Sequence, residues 1–260
     1  MKKSILVTFL LASPMVLLLA QPIADMSSSH FTIGAFGGLN IPRLTGGGGN
    51  PLSEGWSSRA GGAFGLTFTY GTCPHLSLCM DILYSNEGGQ RNGMQALDGS
   101  SFNPLVPAGT YFYANYKNES VLNYMEVPVM AKYFFKIGRS SKVFLDLGPF
   151  VGFLLNAKQK TGGSSIVYAD PSGTQPVSVD PQSGQVFSAS FDANTSITNQ
   201  INPVNFGVTG GTGISQKIGC GEILLDIRGA YGLTIIQKYS VNGKNHTGNL
   251  LISLGYSIPL

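Results

Sequence analysis

One stretch of alternating residues, Tyr124 to Phe135, constrains the fold of this chain more than any other. It reads YMEVPVMAKYFF, and its odd-numbered positions are all apolar and end in aromatic rings: Met125, Val127, Val129, Ala131, Tyr133 and Phe135. The even-numbered positions carry one acid, Glu126, and one base, Lys132. A strict period of two predicts a β-strand with two different faces. A soluble sandwich would turn the apolar face inward, whereas a membrane barrel would turn it to lipid and line its lumen with the polar face.

The first residues have the layout of a secretory signal. Two lysines precede an apolar run over residues 5–20, which is barely long enough to span a membrane and is interrupted by a proline. A short positive region followed by an apolar core is typical of a signal peptide. The alternative, an N-terminal membrane anchor, fits this short and interrupted run less well. We expect cleavage after Ala20 or Ala24. Residues 1–24 would then be the signal and 25–260 a single outer-membrane barrel domain.

The composition of the remaining chain favours a barrel over a soluble domain. Charged residues make up only 11 % of the sequence, against about 25 % in ordinary soluble domains, and glycine is abundant at 35 residues. After residue 24 no unbroken apolar run reaches 18 residues, so no spanning helix is expected there. The formal net charge of +3 falls to +1 without the two N-terminal lysines, and no basic patch suggests nucleic acid. The expected partner is therefore outer-membrane lipid.

Alternation recurs along the chain and predicts eight strands. They are expected at 30–41, 59–71, 76–85, 120–135, 143–158, 204–215, 222–236 and 249–258. The connections alternate between long and short, as in barrels with short periplasmic turns and longer external loops. The fold class predicted is all-β, an eight-stranded antiparallel up-and-down transmembrane β-barrel with both termini on the periplasmic side.

The two longest connections, 86–118 and 159–202, are polar and rich in turn-forming residues. We expect them to be external and mobile, and to be where a protein partner would bind. Aromatic residues lie at the strand ends that this topology places at the periplasmic boundary, as in an aromatic girdle: Phe31, Tyr70, Tyr133, Phe135 and Tyr256. A soluble sandwich has no reason to order its aromatic residues by strand direction.

Two consecutive strands carry motifs that resemble a known family. The motifs are Glu126-Val127-Pro128, an "E-x-P" core, and residues 148–155, which read GPFVGFLL. Residues 84–89, YSNEGG, are similar to the same family's "S-x-x-G" region. The chain thus resembles the PorT-like outer-membrane β-barrel family of Gram-negative bacteria. The resemblance implies an eight-stranded barrel in the cell envelope, some of whose relatives serve protein secretion. The chain departs from such barrels at Leu260, where they often end in an aromatic residue.

No constellation of residues in the sequence indicates catalysis or a cofactor. None of the three histidines neighbours a serine and an acid in the manner of a triad, so we expect no enzyme. The glycine-rich stretch 207–213 lacks the lysine and the helix that a nucleotide-binding loop requires, and we expect it to relieve crowding inside a narrow barrel. The three cysteines have no partners at metal-ligand spacing, and neither a metal nor a cofactor is expected.

The inward faces of the predicted strands carry seven charged residues. These are Asp81, Glu126, Lys132, Asp146, Glu222, Asp226 and Arg228. Charges in a narrow interior must be paired or hydrated. If Phe135 lies opposite Val143 across the short turn 136–142, Lys132 comes opposite Asp146, and we expect this to be the most secure pair of one network that closes the lumen. The alternative is that these groups line a wet cavity.

The function expected from the sequence is therefore structural, or interaction through the loops, without catalysis. Two other functions remain open. One is a small outer-membrane pore, and the other is a secreted soluble β-barrel that binds a ligand in its cup.

Overall fold

The computed structural model describes residues 31–101, 105–107, 109–180 and 182–260, and within them the dominant element is a closed ring of strands. In chain order the strands are β1 (Phe31–Gly46), β2 (Gly61–Cys73), β3 (Leu76–Asp98), β4 (Tyr111–Lys136), β5 (Ser141–Gly162), β6 (Ser164–Tyr168), β7 (Ser178–Asp180), β8 (Gln185–Val186), β9 (Ser188–Ser190), β10 (Ala193–Ser196), β11 (Val204–Ile218), β12 (Gly221–Gly232) and β13 (Asn245–Pro259). Short 3-10 turns occupy Gly99–Ser101, Thr198–Gln200 and Ser240–Asn242. The signal peptide expected at residues 1–24 lies outside the described residues.

Eight of these strands close the ring. The order is β1, β2, β3, β4, β5, β11, β12 and β13, and β13 pairs back onto β1. Every neighbouring pair in the ring is antiparallel. The predicted fold class, an eight-stranded antiparallel barrel, is confirmed. Among the described residues no helix has both the length and the hydropathy needed to cross a membrane.

The alternation along each strand sets which side chains face out. On β4 the exposed positions include Met125, Val129 and Tyr133, while the even-numbered neighbours on the same strand are buried. The same pattern of large exposed apolar side chains recurs on all eight ring strands. An apolar exterior around a polar interior is the arrangement expected of a barrel in lipid.

Aromatic side chains cluster at the barrel end that carries the short turns. The rings of Phe31 and Tyr70, on neighbouring strands, have centroids 4.8 Å apart. The rings of Tyr133 and Phe135 lie 4.9 Å apart at the end of β4, and Tyr256 lies near the end of β13. The placement of the predicted girdle residues at one end of the barrel is confirmed.

The prediction that 86–118 and 159–202 are loops is wrong for much of both segments. Strand β3 continues to Asp98 and β4 begins at Tyr111, and the two stay paired throughout that extension. Within 159–202 the end of β5 and the strands β6 to β10 are ordered in sheets. The physical reason is that a strand which leaves the membrane no longer needs an apolar outer face. Its sequence then resembles that of a polar loop.

The seventh ring strand ends earlier than predicted, at Gly232 rather than residue 236. Beyond it the hydroxyl of Thr234 accepts a hydrogen bond from the backbone N–H of Phe206 at 3.0 Å, which replaces a ladder bond. The chain then turns across the barrel mouth, and Ile236 is buried there. The segment that follows this strand therefore lies in the barrel mouth.

Candidate functional site in the lumen

The β4–β5 hairpin places the first pair of charges inside the barrel. Phe135 lies opposite Val143, and Lys132 therefore lies opposite Asp146, as the short turn predicts. The Lys132 ammonium is 3.5 Å from Oδ2 of Asp146, and both side chains are almost wholly buried. The ammonium also lies 4.1 Å from the ring centroid of Phe144, within the range of a cation–π contact.

Arg228 makes the shorter contacts and connects opposite walls of the barrel. Its Nη1 donates to Oδ2 of Asp81 at 2.7 Å, and its Nη2 donates to Oδ2 of Asp226 at 2.6 Å. A third carboxylate, that of Asp146, lies 3.7 Å from Nη2. Strands β12 and β3, which carry Arg228 and Asp81, are four places apart in the ring of eight and thus face each other. The guanidinium group therefore spans the lumen.

Two of the seven predicted lumen charges lie outside this group. Glu222 pairs with Lys142 at 2.7 Å, and both side chains are about one third exposed near the end of the barrel. Glu126 is buried but makes no ion pair within 4.0 Å among the described residues. It lines a cavity of about 20 Å³, whose other polar walls include Ser85, Thr209, Arg228 and Asn249. A cavity of this size holds about one water molecule.

A further buried carboxylate, that of Glu87, was not predicted from the sequence. Its Oε1 accepts hydrogen bonds from Ser85 Oγ at 2.5 Å, Asn40 Nδ2 at 2.9 Å and Asn249 Nδ2 at 2.5 Å. Glu87 was placed at the start of a loop, although it continues the inward row of Asp81 and Ser85 with the same period of two. Extending that period past residue 85 would have identified it.

Apolar side chains pack together in the barrel mouth, beyond these polar layers. We call this cluster the roof. It is built from both strands and connections: Leu44, Leu122, Tyr124, Ala157, Ile201 and Ile236, with Trp56, Leu154 and Ile197 packed against it. Trp56, Ile197, Ile201 and Ile236 come from segments between the ring strands, so these connections fold into the mouth. The roof lies at the end opposite the aromatic girdle.

Two aromatic rings lie inside the barrel at the end opposite the roof, and we call them the floor. The ring of Phe134 meets that of Phe144 edge-on, with centroids 5.9 Å apart. The ammonium of Lys142 lies 5.4 Å from the Phe134 centroid. Ionic and hydrogen-bonded layers thus lie between an apolar roof and an aromatic floor.

The glycines of β11 make room for the large side chains of this interior. A Cβ atom on Gly207 would contact the ring of Phe150, and one on Gly213 would contact the ring of Phe144. In both cases a backbone carbonyl of β12 would also be too close. The prediction that the 207–213 glycines relieve crowding in a narrow barrel is confirmed.

Beyond the barrel mouth, β3, β4 and β5 continue into a sheet that β6, β9 and β10 extend; we call this projection the blade. Its buried hydrophobic cluster contains Ala114, Tyr116 and Val167, and the Tyr116 ring stacks on Phe191 with centroids 4.4 Å apart. Burial raises the pKa of the Tyr116 hydroxyl. The blade therefore has a small hydrophobic core of its own.

A cation anchors the β1–β2 connection to the base of the blade. Arg91 lies 4.5 Å from the ring centroid of Trp56 and donates from Nη1 to the backbone oxygen of Glu54 at 3.0 Å. Burial lowers the pKa of the Arg91 guanidinium. These contacts hold Trp56 over the lumen.

A family comparison agrees with this architecture. The model of the family described as "Outer membrane protein beta-barrel domain" matches residues 19–237. No curated protein matches the chain. Solved structures with similarity include Neisserial surface protein A (14 % identity, covering 88 % of this chain and 96 % of that chain, TM-score 0.39). Two others, each 11 % identical, cover 89 % of this chain with a TM-score of 0.37. They are Ail of Yersinia pestis with a heparin analogue (100 % of that chain) and OprG of Pseudomonas aeruginosa (96 %).

Proposed function

Because the chain belongs to the outer membrane protein beta-barrel domain family, we propose that it is a closed, non-enzymatic barrel that holds the blade at the cell surface for interaction with a partner. The protein resides in the outer membrane, with its apolar exterior in lipid. Because the longer connections of such barrels are external, we expect the blade to lie outside the cell. The partner would bind within the segments 86–118 and 159–202, which form most of the blade.

The single observation that supports closure is the guanidinium of Arg228, which bridges opposite walls between an apolar roof and an aromatic floor. An eight-stranded barrel has an interior just wide enough for side chains to fill. Here Asp81, Asp146 and Asp226 surround Arg228 at 2.6–3.7 Å, and Lys132 neutralises part of their charge. An apolar constriction such as the roof also excludes water and ions. These layers oppose steady diffusion through the barrel.

Planar-bilayer recording of the purified protein tests this proposal. We expect the wild type to show no large, long-lived conductance steps. A variant that combines Arg228→Ala with Trp56→Ala and Ile236→Ala removes the bridge and part of the roof, and we expect it to conduct. The matched control is Lys142→Gln with Glu222→Gln, which removes a partly exposed pair and leaves the bridge intact. Large, long-lived steps from the wild type would refute closure.

The display role rests on the blade having its own hydrophobic core. Tyr116, Val167 and Phe191 pack in a cluster separate from the roof cluster, and this supports a blade that is stabilised by its own contacts. The test is the triple variant Ala114→Ser, Tyr116→Ala and Phe191→Ala. We expect it to keep heat-modifiable migration of the barrel on gels while amide exchange in the blade accelerates. If the variant lost heat-modifiable migration as well as amide protection in the blade, the blade would be part of the barrel fold and not a separately stabilised element.

The narrower resemblance to PorT-like barrels remains a prediction. It rests on Glu126 and Pro128 of β4 and on the GPFVGFLL motif of β5. In the structure these motifs meet, because Glu126 lies opposite Gly152 and Pro128 lies opposite Phe150. The meeting point borders the small cavity described above. A role in secretion would be tested by assaying secreted proteins in a deletion strain.

A further inference from the structure

A ladder of amide side chains marks where the lipid-facing surface of the barrel ends. Asn86 donates to Asn123, and Asn123 donates from Nδ2 to Oδ1 of Asn156 at 2.9 Å, so the ladder crosses β3, β4 and β5. On the girdle side of the ladder the outer face carries exposed apolar side chains such as Met125 and Phe153. On the blade side it becomes polar.

A β-bulge directly at this ladder turns a row of lysines outward. The β4–β5 register shifts between Asn123 and Tyr124. As a result, the even-numbered residues of β5 beyond this point lie on the outer face of the barrel wall. Lys158 and Lys160 lie on it, about 7 Å apart along the strand. Lys117 of β4 lies on the same face, and all three lysines are exposed.

Nearby acidic side chains do not neutralise these lysines. Glu119 lies opposite Lys160 in the register, but its carboxylate pairs with Arg59 at 3.3 Å. None of the three lysines makes an ion pair within the described part of the chain. On the far side of β5, Asn194 and Ser196 of β10 lie opposite Lys160 and Lys158, and both are neutral. The surface therefore keeps a local excess of positive charge beside hydrogen-bonding amides and a hydroxyl.

We propose that Lys117, Lys158 and Lys160 bind the phosphate groups of phosphorylated glycolipid headgroups in the outer leaflet of the outer membrane. Lys158 is two residues beyond the ladder residue Asn156, so its ammonium lies at the height at which headgroups begin. Basic side chains at that height attract anionic lipids. The surface is an open strand wall continuous with the lipid-facing face, and this favours a headgroup over a free anion. The inference rests on the proposed orientation, with the blade outside the cell.

Two triple variants with matched charge loss test the proposal. One is Lys117→Gln, Lys158→Gln and Lys160→Gln. The control is Lys136→Gln, Arg139→Gln and Lys217→Gln, three exposed bases at the opposite end of the barrel. The full chain in detergent is titrated with phosphorylated lipid A, with dephosphorylated lipid A and with inorganic phosphate. Heat-modifiable gel migration verifies that both variants are folded.

We expect the wild type to bind phosphorylated lipid A and the first triple variant to bind it on the order of 100-fold more weakly. We expect the control, and a triple Lys→Arg variant at the same three positions, to bind like the wild type. Equal binding of dephosphorylated lipid A, or equal losses in both triple variants, would overturn the proposal. Saturation by inorganic phosphate at the affinity of the lipid would also overturn it, because the site would then take a free anion. Protease treatment of whole cells tests the orientation independently, so a failure of the proposed function is distinguishable from a failure of this site.

Discussion

At the residue scale the lumen is held by charges whose contacts are unequal. Asp146 lies 3.5 Å from the Lys132 ammonium and 3.7 Å from Arg228, distances of ion pairs rather than of hydrogen bonds. Arg228 makes true hydrogen bonds to Asp81 and Asp226 at 2.7 and 2.6 Å. Removing one member of such a buried group leaves the others uncompensated, which costs far more than the pair itself contributes.

A double-mutant cycle on Lys132→Met and Asp146→Leu measures this effect. We expect each single variant to lose about 3–5 kcal/mol of unfolding free energy and the double variant to lose less than the sum of the two. The free energy is measured from the urea dependence of unfolding in detergent. The outcome that contradicts the network is a pair of independent, near-zero effects, as for groups that line a wet cavity.

The chain offers a matched control for this cycle. Lys142 and Glu222 form an ion pair of 2.7 Å, but with about one third of each side chain exposed. Exposed pairs contribute about 0–1 kcal/mol, so we expect Lys142→Met and Glu222→Leu to have small, nearly additive effects. A loss as large as that expected at Lys132 would show that burial is not what distinguishes the two pairs.

The residue-scale prediction from sequence succeeded where a short turn fixed the register. The seven residues between Phe135 and Val143 form the hairpin turn and its flanks, and they bring Lys132 opposite Asp146. The bridge from Arg228 to Asp81 could not be predicted in the same way, because 147 positions separate the two residues. Their contact depends on the closure and diameter of the whole ring, which local alternation does not encode.

At the element scale, the glycines of β11 determine whether the aromatic rings fit the interior. We expect Gly213→Ala to destabilise the barrel by about 1–3 kcal/mol, because its methyl group would meet the Phe144 ring and a β12 carbonyl. Gly62→Ala on β2 is the control, since nothing lies within 4 Å of the added methyl group. Unfolding in urea compares the two. Equal effects would mean that crowding does not explain the glycines.

A turn beyond β6 carries a carboxylate whose protonation should loosen the blade. Slight desolvation acts to raise the pKa of Asp170, but hydrogen bonds from the backbone N–H of Gln175, the hydroxyl and N–H of Thr174 and the N–H of Ser172 outweigh it, and the pKa lies below the ordinary value of 3.8. A lowered folded-state pKa means that the stabilisation is complete above 3.8 and is lost as pH falls through the folded-state pKa.

Nuclear magnetic resonance titration of the side-chain carboxyl checks the direction of this shift. We expect a midpoint for Asp170 below 3.8, with faster exchange of the Thr174 and Gln175 amides as the pH falls through that midpoint. The Asp170→Asn variant should show fast exchange at every pH. A midpoint above 3.8 would contradict the hydrogen-bonding account.

The element boundaries show why alternation predicts the barrel but not the blade. Inside the membrane every strand needs an apolar outer row, and the sequence displays it clearly between Met125 and Phe135. Beyond the ladder formed by Asn86, Asn123 and Asn156 the outer face is mainly polar and the inner face mixes polar with apolar side chains. Strands β3 and β4 therefore lose the alternation signal while their backbone pairing continues. The same loss hid Glu87 and the outward row of lysines.

At the scale of the whole molecule, one ring of strands serves two environments. Its membrane part holds buried side chains in the interior, while three strands continue beyond the mouth as a paired sheet. Backbone pairing protects a strand from proteolysis, because a protease requires a locally open chain. Susceptible sites in the blade should therefore lie in its two long connections, 99–110 and 169–187, the second of which carries the short β7–β8 hairpin.

Protease added to whole cells tests both the orientation and this division of the chain. We expect proteinase K to cleave within 99–110 and 169–187 and to leave the paired parts of β3, β4 and β5 intact. Trypsin should spare both connections, because neither contains lysine or arginine, although exposed Lys117, Lys158 and Lys160 lie nearby on paired strands. Mass spectrometry of the membrane-retained fragments identifies the cleavage sites.

Resistance to proteinase K until the outer membrane is permeabilised would place the blade in the periplasm. Ready tryptic cleavage at the three lysines would mean that the strands beyond the ladder are not stably paired.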